Sequence, residues 1–168
     1  MTGQRQKQGP VLVVLGEGGH TSEMLNLVDQ LDEAHDLHYV LVTEDEMSES
    51  RIRRAGVVHR IRRPNAKDSA KAAAVAQTAI AQLQSLWLLA RVRPRAVLSS
   101  GPAIGIPVAV AAKIFRADVI FVETIARVTG LSMTGRLMRR LADLYFVQWP
   151  GAQAAAPGSL YELSLIHI

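Results

Sequence analysis

Val11-Leu12-Val13-Val14-Leu15-Gly16-Glu17-Gly18-Gly19-His20-Thr21-Ser22-Glu23-Met24 decides the fold. Residues 11–15 are an unbroken apolar run rich in valine and closed by glycine, which reads as a buried strand. Met24, Leu25, Val28 and Leu31 then recur at helical spacing, so residues 21–31 read as a helix. Thr21 or Ser22 can cap that helix, and Glu23 in its first turn suits the positive end of the dipole. A strand, a tight turn and a helix open a βαβ unit. A strand that is apolar throughout, rather than alternating, implies helices over both faces of a parallel sheet.

The rest of the chain repeats the pattern. Strands are expected at residues 39–43, 57–61, 97–99, 119–122 and 144–147, and an acidic helix start at 44–49. Helices are expected at 68–93, stopped by Pro94, and at 104–115 and 132–141. The fold class is therefore α/β with a mostly parallel sheet and right-handed crossovers. The 168 residues fit one domain over 11–150, after a flexible polar N-terminus (1–10) and before a poorly specified C-terminal tail (151–168). No internal repeat or linker interrupts them.

Composition narrows the function classes. Hydrophobic residues are 49% and aromatics 5%, so the core rests on Val, Leu, Ile and Ala. Formal charge is +4, with Arg51, Arg53, Arg54, Arg60, Arg62 and Arg63 crowded together, a pattern that suits nucleic acid, anionic lipid or phosphorylated substrates. No aromatic residue interleaves those arginines to stack on bases, which argues against nucleic acid. Cysteine is absent, which removes disulfides and thiolate metal ligands; no metal is expected. The richest apolar stretches, 86–90 and 103–112, are shorter than the roughly 20 residues a bilayer span requires. The segment 83–89, with Trp87 and the flanking Arg91, Arg93 and Arg95, instead fits a helix buried on the sheet or settled at a lipid interface.

Three turns can carry chemistry. Gly16–His20 ends the first strand, where open α/β sheets place ligands, and its glycines let backbone N–H groups approach an anion. It lacks the full G-x-G-x-x-G pattern, since Thr21 occupies the last glycine position, and it has no Walker lysine. Tight turning alone would also explain it. His20 at the helix start is a candidate base or hydrogen-bond partner. Ser99-Ser100-Gly101-Pro102 is a second small-residue turn on the same sheet edge. Glu123-Thr124-Ile125-Ala126-Arg127 places a carboxylate and a guanidinium in a third loop, to bind sugar hydroxyls and phosphate or to pair with each other. Arg136, Arg139 and Arg140 read as a solvated helix face.

These motifs occur in the order of a known family. Leu15 through Met24, Ser100-Gly101-Pro102, Glu123 through Val128, Leu131-Ser132-Met133-Thr134-Gly135 and Asp143 through Pro150 resemble the membrane-anchoring subunit of the two-subunit UDP-N-acetylglucosamine transferase of dolichol-linked oligosaccharide assembly. They also resemble its bacterial counterparts in capsule and exopolysaccharide biosynthesis. The resemblance covers about residues 11–150.

It implies a Rossmann-like domain equivalent to the N-terminal half of a GT-B glycosyltransferase. The other half would be a separate catalytic, nucleotide-binding subunit that carries most of the UDP-sugar. This half would receive a polyprenyl-diphosphate-linked saccharide acceptor, and the pair would transfer sugar with inversion, without metal or cofactor. Alone it would be inactive. The resemblance makes His20 and Glu123 the catalytic candidates. Gly16, Gly18, Gly19, Thr21, Ser100, Gly101 and Arg127 become substrate-binding candidates, and Gln148, Trp149 and Pro150 face the partner. Thr124 stands where the family has serine. The eukaryotic members carry an N-terminal membrane helix that this sequence does not show, so attachment is expected to be peripheral, on the cytoplasmic face of the plasma membrane, or through the partner. The alternative is a non-catalytic scaffold that recruits its partner to the membrane.

Overall fold

The structure is a computed structural model that describes residues 9–64 and 71–162. The N-terminal residues 1–8, the beginning of the expected helix at 68–70 and the apolar tail 163–168 lie outside the described residues.

Seven parallel strands form one sheet: β1 (Val11–Val14), β2 (Leu37–Val42), β3 (Val57–Ile61), β4 (Ala96–Ser99), β5 (Asp118–Val122), β6 (Leu144–Val147) and β7 (Leu160–Tyr161). The helices between them are α1 (Gly19–Asp29), α2 (Glu46–Glu49), α3 (Lys71–Val92), α4 (Gly105–Ile114), α5 (Met133–Met138) and α6 (Pro150–Ala155). In space the order is β3-β2-β1-β4-β5-β6-β7. The chain thus winds outward from β1 in one direction and from β4 in the other, so a crevice opens between the carboxyl ends of β1 and β4.

The opening strand shows why its sequence is apolar throughout. Leu12 and Val14 pack into one core layer with Leu88, Leu89, Val108 and Phe121, while Val13 and Leu15 pack into the other with Met24, Leu25 and Val28. Leu12, Val13, Val14 and Leu15 are all fully buried. Burying both faces contributes about 25 cal/mol for each Å² of apolar surface removed from water.

Two expectations change. The segment after Pro150 continues the alternation, because α6 buries Ala152, its C-cap Ala156 is buried too, and β7 pairs with β6 through Phe146↔Leu160 and Val147↔Tyr161. Short alanine-rich elements carry too weak a periodicity to be read in sequence. The second concerns membrane length: the span Ala72–Val92 of α3 is 21 residues with mean hydropathy 1.2, long and apolar enough to cross a bilayer by length and composition. The short stretches considered in sequence understate it, since alanine extends the apolar run. Ala81, Ser85, Leu88 and Leu89 nonetheless form a buried stripe at helical spacing, and Gln82 Nε2 donates to the Pro107 carbonyl at 3.2 Å, so α3 lies on the domain. Its opposite side leaves Val75, Leu83 and Trp87 exposed, with the Arg91 guanidinium 5.6 Å from the Trp87 ring centroid.

The arginine cluster is largely occupied inside the fold. Arg54 donates to the carbonyls of Val28 (2.6 Å), Leu31 (2.9 Å) and Asp32 (3.0 Å), closing the C-terminal end of α1. Arg53 reaches Asp29 at 2.6 Å, Arg60 pairs with Glu49 and Arg63 with Glu17. Arg51 donates to the Ser22 hydroxyl at 2.5 Å. These cations tie the β2–β3 region to α1 and to the turns rather than forming a free basic patch.

Candidate functional site

The first two expected turns meet at the switch point. A cavity of about 260 Å³ opens there, bordered by Gly16, Glu17, His20, Arg63, Gly101 and Pro102. Its two walls approach so closely that side chains are excluded. A Cβ on Gly16 would stand 2.5 Å from the Pro102 Cβ, and one on Gly101, whose φ is +112°, would stand 3.1 Å from His20 Cε1. Glycine is a packing requirement at Gly16, and at Gly101 it is required by the left-handed backbone.

Gly18 and Gly19 differ. Gly18 caps α1 with φ 67°, and Gly19 begins the helix, yet a Cβ at either would meet nothing within 4 Å. For Gly19 in particular, neither backbone conformation nor neighbouring atoms call for glycine. The clearance faces outward, where a ligand can approach the first N–H groups of α1. Thr21, expected beside the ligand, is fully buried: its hydroxyl donates to the Gly16 carbonyl, with Ser48 Oγ at 2.7 Å, so it locks the turn from behind. Ser100 Oγ donates to the His20 carbonyl at 3.1 Å and fixes one turn to the other.

His20 borders the cavity, its side chain 32% exposed. Its neighbour Glu23 was not legible as a site residue. Because α1 starts at Gly19, Glu23 sits one turn in, beyond the first turn, and is 7% exposed. Its Oε1 accepts from Thr124 Oγ1 (2.8 Å) and from the Ile125 N–H (3.1 Å), and its Oε2 lies 3.9 Å from His20 Nδ1. The signal available in sequence was the i, i+3 spacing of His20 and Glu23 on one helix face.

Glu123 does not reach the cleft. It is 1% exposed, and its carboxylate accepts from the Tyr145 hydroxyl (2.8 Å), the Ser132 N–H (3.2 Å) and its own neighbour's N–H at Thr124 (3.2 Å). Burial and the adjacent Glu123 carboxylate push the Tyr145 phenol well above its ordinary range, so it remains a donor. Glu123 makes no ion pair with Arg127, which is exposed. The catalytic expectation for Glu123 gives way to a framework role: a strand-end carboxylate looks the same in sequence whether it turns outward or inward.

The Gln148-Trp149-Pro150 segment also turns mostly inward. Gln148 is 1% exposed and donates to the Glu123 carbonyl at 2.9 Å, while the Trp149 indole donates to the Ile125 carbonyl at 2.6 Å. Trp149 is partly exposed and Pro150 exposed. Gln148 and Trp149 brace the Glu123–Ile125 loop, which in turn holds Glu23.

The whole fold is that of the N-terminal half of GT-B enzymes. It superposes on the Acinetobacter baumannii MurG structure with TM-score 0.73 at 16% identity, covering 92% of this chain and 44% of that one. A UDP-N-acetylglucosamine 2-epimerase from Rickettsia bellii gives 0.65 at 14% identity, covering 94% and 43%. Likeness at such identity concerns the fold. Sequence relatives are nearer: the human UDP-N-acetylglucosamine transferase subunit ALG14 is 33% identical over 177 residues, covering 90% of this chain and 80% of that protein. The Kluyveromyces lactis subunit of the same name is 27% identical, covering 95% and 79%. None of these relatives is from the bacterial capsule and exopolysaccharide branch. Residues 11–164 match the family described as "Oligosaccharide biosynthesis protein Alg14 like", and the chain belongs to that family.

Proposed function

We propose that this chain is the acceptor-binding, membrane-associating subunit of a bipartite inverting glycosyltransferase, which moves a sugar from a UDP-sugar to a polyprenyl-diphosphate-linked saccharide in polysaccharide biosynthesis. The observation that carries the reading is the His20 cleft at the switch point of a half-length GT-B fold. A cavity of about 260 Å³ is at or below the lower end of ordinary ligand pockets, which fits one wall of a site completed by a second protein. Gly18 and Gly19 offer N–H groups to the acceptor diphosphate, and His20 serves as base toward the acceptor hydroxyl. Arg127, exposed in its loop, is a second contact for phosphate. The named relatives are UDP-N-acetylglucosamine transferase subunits, which makes UDP-N-acetylglucosamine the first donor to try.

The exposed apolar side of α3, with Trp87 and Arg91, supports attachment to a membrane surface. That same surface favours the alternative reading, a scaffold that only recruits its catalytic partner. Co-expression with the companion nucleotide-sugar-binding protein, followed by transfer from UDP-N-acetylglucosamine to a polyprenyl-diphosphate saccharide, tests the proposal. A folded, associated pair that transfers no UDP-sugar refutes it. Full transfer by a His20→Ala pair would assign the chain to the scaffold role.

A further inference from the structure

We infer that Glu23 is the positioning residue for His20, holding its Nδ1–H so that Nε2 carries the lone pair into the cleft. The chemical consequence rests on the transferase reading above; the contact itself does not.

Two buried polar atoms stand side by side without hydrogen-bond partners: Nδ1 of His20 and Oε2 of Glu23. They are 3.9 Å apart. Buried polar atoms are almost always satisfied, and here one orphan can donate while the other can only accept. The separation exceeds hydrogen-bond range, as catalytic contacts often do before substrate closes the site. The carboxylate is the fixed member of the pair. Its Oε1 is held by Thr124 Oγ1 and the Ile125 N–H, and the Ile125 carbonyl is held by the Trp149 indole. The imidazole is the movable member, with no side chain on Gly101 beside it, and the inference requires it to turn toward Oε2.

With Nδ1–H given to Glu23, the acceptor hydroxyl proton passes to Nε2. The hydroxyl oxygen bonds to the anomeric carbon as the bond from that carbon to the diphosphate oxygen breaks, and UDP leaves with the electron pair. The Glu23 side chain lies against the imidazolium that forms and offsets its charge. Helix α1 thus supplies both base and orienting carboxylate, and the third loop locks the second to the first.

The tautomer of His20 is the direct readout. In the full chain with ¹⁵N-histidine, at a pH where the ring is neutral, ring ¹⁵N shifts are expected to show protonated Nδ1 and bare Nε2. Glu23→Ala should transfer the proton to Nε2, and so should Glu23→Gln, whose single oxygen stays with Thr124 Oγ1 and the Ile125 N–H and whose amide NH2 therefore faces Nδ1 as a donor. Should Glu23→Ala fail to fold, Thr124→Val keeps the carboxylate but removes one of its two anchors, and shifts the tautomer the same way by less. In the reconstituted pair, with farnesyl-diphosphate-linked N-acetylglucosamine as acceptor, Glu23→Ala should lower kcat by about 10²–10⁴-fold and leave KM within about twofold. A His20 ring that carries its proton on Nε2 in the unaltered chain, unchanged by any of these variants, overturns the inference. If the tautomer responds as stated but transfer is undiminished, the Glu23–His20 contact stands and the reading of His20 as the base fails instead.

Discussion

Gly16 and Gly19 sit three residues apart in one turn and should answer opposite ways to the same substitution. Gly16→Ala places a methyl 2.5 Å from the Pro102 Cβ, between two backbone segments fixed by the Ser100–His20 and Thr21–Gly16 hydrogen bonds. Neither wall can move without breaking those bonds, and overpacking of this kind costs about 1–3 kcal/mol. For a chain of this size, that lowers Tm by roughly 2–12 °C. Gly19→Ala places its methyl in open space at the first residue of α1, with no positive φ to oppose it. Removing glycine's extra freedom in the unfolded chain should then stabilise by about 0.4–1 kcal/mol, a Tm rise of roughly 1–4 °C. If the clearance exists for the acceptor diphosphate, the same methyl should raise the acceptor KM by about tenfold, equivalent to about 1.4 kcal/mol of lost binding. Thermal melts of the chain and acceptor titrations of the reconstituted pair give both numbers. A Gly19→Ala chain that melts as low as Gly16→Ala would refute the packing argument, and one with an unchanged acceptor KM would refute the cradle.

Tyr145→Phe strips a donor from buried Glu123 and should cost about 1–3 kcal/mol, read as a lower denaturant midpoint with unchanged slope. The phenol's folded pKa is raised above its ordinary 10.0, so its contribution is complete below pH 10 and is lost as pH rises through the folded value; alkaline melts of the unaltered chain should fall above pH 10, and those of Tyr145→Phe should fall less. Arg54→Ala should destabilise by about 2 kcal/mol, because it strips one donor from each of the Val28, Leu31 and Asp32 carbonyls, whereas Arg53→Ala, with an exposed ion pair, should change stability by less than about 1 kcal/mol in urea unfolding. Leu83→Asp with Trp87→Asp should abolish co-sedimentation with vesicles containing one-third anionic lipid while leaving Tm nearly unchanged, since both side chains already face water; undiminished binding would remove α3 from the membrane reading.

The sheet was legible because its cause is local: a run such as Val11–Val14 that is apolar on both faces fits little besides a buried parallel strand. The positions of the turns followed from the strands, since a chain that alternates strand and helix must place every βα loop on one edge. Which side chains face the cleft did not follow. Glu23 and Glu123 are both carboxylates near that edge, and both are buried, but one backs the histidine while the other is enclosed by Tyr145, Ser132 and Thr124. Their difference is set by contacts about 100 residues apart in sequence, such as Thr124 to Glu23, which no local pattern records. The arginine cluster shows the same limit from the other side: a run of cations looks like a ligand surface until the carbonyls at the end of α1 and the acids at Asp29, Glu49 and Glu17 are brought against it. What survives for a ligand is therefore what the fold leaves unsatisfied or empty. By that criterion the cleft keeps His20 in front with the unpartnered Glu23 oxygen behind it, while the open positions Gly18 and Gly19 lie just before His20 at the start of α1.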